Sequence, residues 1–126
     1  MDEDSPVGRL DSVTIDCADP GRQAAFWAAV FGTEEQWRGG DPVQYIDLAA
    51  TSASPTIRFQ RVPEPKTVKD RIHLDLRVDD LELAAARVVA LGASPVEQDD
   101  ILEYDVAFRV MLDPEGNEFC LVAEAG

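Results

Sequence analysis

The chain has one histidine, His73, and the alternate positions beside it, Asp75 and Arg77, fall on the same side of an extended segment. An imidazole next to a carboxylate is the minimum equipment for general acid–base work near neutral pH. The competing reading is a hydrogen-bonded histidine with no chemistry, because neighbours on one strand face lie close without being forced to bond. The same alternation collects Thr14 and Asp16 early in the chain, Arg58 and Gln60 further on, and Glu118 and Cys120 near the end. Asp16, Asp75 and Arg77 are expected on central strands with limited solvent. Polar groups so placed need partners, either one another or a ligand. A self-satisfied Asp–Arg network is one solution. A ligand carboxylate or phosphate gripped by Arg58 and Arg77 is the other. Cys120 would act as a nucleophile only with a lowered pKa, which His73 could supply, and no oxyanion hole is evident. Trp37 and Tyr45, on outer strands or their loops, suit stacking on a ligand.

The elements that must position these residues are written twice. Leu10–Cys17 alternates, with Val13, Ile15 and Cys17 on one face and Ser12, Thr14 and Asp16 on the other. Asp19 caps the next helix, Pro20 suits its first position, and Gly32 supplies the left-handed stop after Phe31. Strands are expected over Glu35–Arg38, Val43–Ala50 and Thr56–Val62. After the stiff Pro63-Glu64-Pro65 connector, Ile72, Leu74, Leu76 and Val78 form a second apolar strand face. Asp79 with Glu82 reads as a capping box. Leu81, Ala84, Val88 and Leu91 recur at helical spacing, and Gly92 closes. Pro95–Gln98, Tyr104–Leu112 and Asn117–Glu124 read as the remaining strands, the last two joined by the Asp113-Pro114-Glu115-Gly116-Asn117 hairpin. The copies align at an offset of 61 in their first strands (Ser12 with His73, Ile15 with Leu76) and 60 from the helix ends onward (Gly32 with Gly92, Phe59 with Phe119). A segment such as Thr67–Asp70, between the copies, has the position of a lid.

The 126 residues suit one domain of two half-modules. The net charge of −14 argues against nucleic acid. Six of the eleven basic residues (Arg58, Arg61, Lys66, Lys69, Arg71, Arg77) fall within twenty positions, where an anionic ligand would be met. No apolar run reaches membrane-spanning length, and Met1–Val7 lacks a signal-peptide pattern, so a cytoplasmic protein is expected. Asp2, Glu3 and Asp4 read as a disordered tip. Strand parity sets Cys17 and Cys120 on opposite faces, so no disulfide is expected.

Four stretches carry a family resemblance: Thr14–Pro20, Phe59–Lys66, Arg71–Leu76 and the Asp113–Cys120 hairpin. Across Leu10–Val122 the chain resembles the vicinal oxygen chelate superfamily (glyoxalase I, extradiol dioxygenases, bleomycin resistance proteins), and within it the bacterial glyoxalase-like branch. The resemblance implies an α+β fold of two βαβββ modules forming a curved, partly open, barrel-like mixed sheet. Module one covers about 9–62, the connector 63–70 and module two about 71–124. It implies a small-molecule groove between modules, within one chain or between chains, and a homodimer. The first helix, with Phe26, Trp27 and Phe31 where the second has Ala86, Arg87 and Leu91, carries enough extra apolar surface for that contact.

Metal-using members hold one divalent ion with His, Glu or Gln from both modules. The matching positions here are Ser12, Gln60, His73 and Cys120, a mixture of hydroxyl, amide, imidazole and thiol that matches no common ion. On that basis His73 reads equally as a relic of a metal-binding ancestor. The expectation is therefore a cofactor-free protein that binds a small organic molecule through Thr14, Asp16, Trp37, Arg58, Gln60, His73, Asp75, Arg77 and Glu118. The alternative is a lyase, isomerase or epimerase using His73 with Asp75, or a divalent metal at Gln60, His73 and Cys120. Whether the chain is an enzyme stays open.

Overall fold

The protein is described by a computed structural model over residues 5–125, and the acidic tip expected at Asp2–Asp4 lies outside them. The chain divides into two compact units, Met1–Val62 and Pro63–Gly126. The first contains β1 (Ser12–Cys17), α1 (Pro20–Phe31), β2 (Glu35–Gly39), β3 (Tyr45–Leu48) and β4 (Thr56–Arg61). Its sheet runs β1-β4-β3-β2, with β1 and β4 parallel and the other pairs antiparallel. The Asp19 side chain accepts from the Arg22 N–H at 3.1 Å, Pro20 opens α1, and Gly32 at φ 65° ends it. Cap, first residue and stop are those the residue types require.

Helix α1 packs on β3 and β4. Val13, Ile15, Cys17, Ile46, Leu48, Ile57 and Phe59 share one face of the sheet by register. Ile46, Leu48 and Phe59 are fully buried. Trp27, 2% exposed, meets Phe26 edge-on at 5.0 Å and stacks with Phe31 at 5.5 Å. The aromatic excess of α1 is thus used inside its own unit, at about 1.5–3 kcal/mol for each large side chain buried.

The second unit contains β5 (Leu74–Arg77), α2 (Leu81–Leu91), β6 (Ser94–Pro95), β7 (Ile101–Glu103), β8 (Val106–Leu112) and β9 (Glu118–Glu124). Its sheet runs β5-β9-β8-β6, with β7 also on β8 and β5 parallel to β9. Neither sheet closes on itself, and the α+β expectation holds. The Asp113 carboxylate ties the hairpin before β9, accepting from the N–H groups of Glu115 and Asn117 at 2.9 and 3.0 Å and from the Asn117 amide at 3.0 Å.

Four details depart from the sequence reading. Strand β5 begins at Leu74, leaving Ile72 83% exposed and His73 one residue outside the ladder, because β9 pairing starts at Leu74 opposite Phe119. Asp80, not Asp79, caps α2 by accepting from the Leu83 N–H at 3.0 Å. Glu82 is then drawn to Arg109 at 2.8 Å instead of back to the helix start. The β6 strand is only two residues long, and β7 lies between the expected Pro95–Gln98 and Tyr104–Leu112 strands. Its turn into β8 uses Tyr104 and Asp105 at φ 50° and 62°, a left-handed pair without the glycine that normally signals it. The ladders also revise the repeat. Asp16 lies opposite Gln60 and Asp75 opposite Cys120; with β4 and β9 matched at 60, Asp16 corresponds to Asp75 and Thr14, not Ser12, to His73. Among the described residues no helix is long and apolar enough to cross a membrane.

Candidate functional site

The face of the first sheet opposite α1 is polar and aromatic. Parallel pairing sets Thr14 beside Arg58 and Asp16 beside Gln60. Antiparallel pairing sets Arg58 beside Asp47, Gln60 beside Tyr45, and Asp47 beside Trp37. Six of these seven were anticipated as ligand contacts. The seventh, Asp47, was not. It sits in a four-residue strand between buried Ile46 and Leu48 and is itself buried. A buried carboxylate needs a cation, and Arg58 supplies it with two parallel bonds, Nε to Oδ1 at 2.7 Å and Nη2 to Oδ2 at 2.9 Å. The Asp47 carboxylate holds the guanidinium above the usual arginine range, chiefly through those hydrogen bonds. The Asp–Arg solution therefore operates here, with a partner that the sequence reading did not name. Arg58 also lies 5.9 Å from the Trp37 ring centroid and 5.8 Å from that of Tyr45.

In the second unit His73, Asp75 and Cys120 come together. His73 Nε2 is 3.2 Å from Asp75 Oδ1, and one donor atom from each of the three residues lies within 4.8 Å of the others. Pairing of β5 with β9 explains this: Asp75 is directly opposite Cys120, and His73 precedes it by two on the same face. His73 and Asp75 are exposed, and Cys120 is 8% exposed. Burial pushes the Cys120 thiol up, and the charge and hydrogen bond of Asp75 push it further. Burial first and the neighbouring Asp75 carboxylate second act against the lowered pKa that a nucleophilic thiol needs.

Of the family-matched positions, Ser12 and Gln60 belong to the first unit and His73 and Cys120 to the second, where a carboxylate, Asp75, joins the latter two as a third donor. Imidazole, carboxylate and thiol are all accepted by zinc, and the thiol excludes hard ions. Three protein donors are the number found in catalytic zinc sites, where structural sites have four. The high thiol pKa means that binding would release a proton.

Other anticipated residues have different work. Asp16, Asp75 and Arg77 are exposed rather than shielded, because β1 and β5 stand at the ends of their sheet paths. Glu118 ties down the segment expected to be a lid. Its Oε1 accepts from Lys66 Nζ at 3.2 Å and its Oε2 from the Asp70 N–H at 3.0 Å. Lys66 also donates to the Val68 carbonyl. Burial would raise the Glu118 carboxyl, but the Asp70 backbone N–H and the Lys66 ammonium bring it down to about 2. Asp70 moves up, first through burial and then through the charge of Glu118.

A polar cavity of ≈380 Å³ beside α2 includes Glu82, Asp99, Asp100 and Arg109. Its cation is already spent, since Arg109 forks onto Asp100 at 2.8 and 2.9 Å and reaches Glu82 at 2.8 Å. Both cysteines are buried thiols without a disulfide.

Residues 12–122 match the family model described as a glyoxalase-like domain. Among curated proteins nothing matches the chain. Solved structures share the fold at low identity. A glyoxalase/bleomycin resistance protein/dioxygenase family enzyme from Burkholderia phytofirmans PsJN is 22% identical, with 93% of this chain and 99% of that one covered and a TM-score of 0.73. A fosfomycin resistance protein from Listeria monocytogenes is 15% identical over 95% and 96% of the two chains, with a TM-score of 0.72. TioX from Micromonospora sp. ML1 is 21% identical over 93% and 99%, with a TM-score of 0.65.

Proposed function

The chain belongs to the glyoxalase-like domain family, and from that membership we propose that it binds a small organic molecule on the polar, aromatic face of its first sheet. The observation that carries this reading is the Trp37–Tyr45–Arg58–Asp47 group. Its ion pair is internally balanced, and Trp37 beside it keeps exposed aromatic surface for a ligand. Thr14, Asp16 and Gln60 border it on the same face. Resistance proteins and enzymes occur among proteins of this fold, so fold alone does not separate sequestration from catalysis.

Native mass spectrometry of protein from its own host tests the proposal. The expected result is a retained mass in the range of a small organic ligand, and the same spectrum reads whether the chain is the homodimer anticipated from its sequence. A bare mass, together with no thermal stabilisation by any member of a broad metabolite panel, would overturn it.

The second reading is a lyase, isomerase or epimerase built on His73 and Asp75, and the specific observation favouring it is the compact His73–Asp75–Cys120 triad. There His73 would move a proton and Asp75 would orient its ring. Alternatively, an ion held by His73, Asp75 and Cys120 would supply Lewis-acid polarisation of a substrate oxygen, with His73 and Asp75 then serving as ligands instead of moving a proton. Stoichiometric zinc in protein purified without a metal-affinity tag supports this reading over the first.

A further inference from the structure

The aromatic pair on the first sheet, an exposed Trp37 and a half-buried Tyr45, has a built shape. Trp37 is 48% exposed, yet its indole lies along its own strand over Gly39. A Cβ at that glycine would come within 2.6 Å of indole Cη2 and 2.8 Å of Cζ2. Gly39 has no left-handed backbone, so the missing side chain serves space, not conformation. Gly39 is opposite Tyr45 in the ladder, which sets the phenol beside the indole with centroids 6.5 Å apart and planes tilted by 32°. The two rings make a shallow floor. Arg58 lies over both rings, its Cζ 5.9 and 5.8 Å from their centroids, with Nε and one Nη2–H committed to Asp47, and among the described residues no acceptor meets its Nη1.

We propose that this floor takes a flat aromatic molecule bearing a carboxylate or carbonyl oxygen, its ring stacked on Trp37 and Tyr45 and its oxygen accepting from Arg58 Nη1. The inference rests on the ligand-binding reading above and narrows it to a chemical class. Stacking on an exposed indole needs a π face, which aliphatic acids lack. The solvent-exposed guanidinium edge can donate to a ligand oxygen in place of water, which a bare hydrocarbon could not accept. The overall charge of −14 disfavours polyphosphates far more than a single carboxylate or a neutral carbonyl.

The test uses 2-naphthoate as probe, with cyclohexanecarboxylate as its aliphatic control, titrated into the full chain by calorimetry and by NMR of the two tryptophan indole N–H signals. Trp27 is buried, so its signal serves as internal reference. The expected result is saturable naphthoate binding that moves the Trp37 signal and not that of Trp27. The aliphatic control should bind at least about tenfold more weakly. Trp37→Leu should weaken binding by about tenfold, and Gly39→Ala, which displaces the indole but keeps every polar group, by a similar factor. Circular dichroism confirms that both variants fold, and either alone suffices if the other does not. Absence of saturable naphthoate binding, equal affinity for the control, or indifference to both substitutions would overturn the inference. An aliphatic molecule retained in the native spectrum would also overturn it while leaving the ligand-binding reading in place.

Discussion

Replacing Glu118 with Gln removes the charge that ties the 66–70 segment to β9 while keeping the size of the side chain. At neutral pH the carboxylate accepts from Lys66 Nζ at 3.2 Å and from the Asp70 N–H at 3.0 Å, and these contacts hold its pKa at about 2 against an ordinary 4.5. A depressed carboxyl stabilises the folded state above its unfolded pKa, and that stability drains away as pH falls through 4.5 toward 2. At ~1.4 kcal/mol per pH unit the coupling is capped near ~3 kcal/mol. Two effects lower that ceiling. Solvent reaches the pair, so screening applies. Asp70 also shifts in the opposite direction, and its ionisation beside Glu118 costs stability as pH rises. A net difference of about 1 kcal/mol at pH 7 between the native chain and Glu118→Gln is expected. Urea unfolding at low ionic strength, followed by far-UV circular dichroism at pH 7, 5, 4 and 3, measures it. The difference should hold from pH 7 to 5 and lose more than half its value by pH 3. A difference that is absent at pH 7, or unchanged at pH 3, would refute the latch and return Glu118 to the set of ligand contacts.

His73→Ala should change stability by no more than about 0.5 kcal/mol, because the ring is well exposed; calorimetric unfolding checks this, and a larger loss would make the histidine a structural strut. Cobalt(II) added to the chain should give a thiolate-to-metal charge-transfer band if the triad binds a borderline ion, and Cys120→Ser or His73→Ala should abolish it. Cys120 should react slowly with a thiol reagent at pH 7, since burial and Asp75 both raise its pKa; rapid labelling would contradict that environment. Phe59→Ala empties a fully buried site and should cost about 3–5 kcal/mol by denaturant unfolding.

Most of the secondary structure was legible because its signals are local. Period-two alternation marked β1, Asp19, Pro20 and Gly32 bracketed α1, and the Asp113–Asn117 turn announced β9. The failures were local signals in competition with distant partners. Asp79 and Glu82 had the spacing of a capping box, but Arg109 from β8 claimed Glu82 and the cap passed to Asp80. The β7 strand hid because its turn uses Tyr104 and Asp105 rather than glycine. Nothing local singled out Asp47 as the carboxylate that Arg58 would neutralise, and parity grouped His73 with Asp75 without saying how close Cys120 would come.

The amino-acid order alone determined the fold class, the duplicated frame and which side chains share a strand face, because the period of a strand or helix depends only on the chain's own geometry. Pairing register decided the rest. It set Arg58 beside Asp47, Asp75 beside Cys120 and Tyr45 alongside the Trp37 indole. It also turned Glu118 from a presumed ligand contact into a tie for the connector. Parity says which way a residue faces, whereas hydrogen bonds and charge compensation depend on residues brought close from far along the chain. Those distances exist only once the strands are laid side by side.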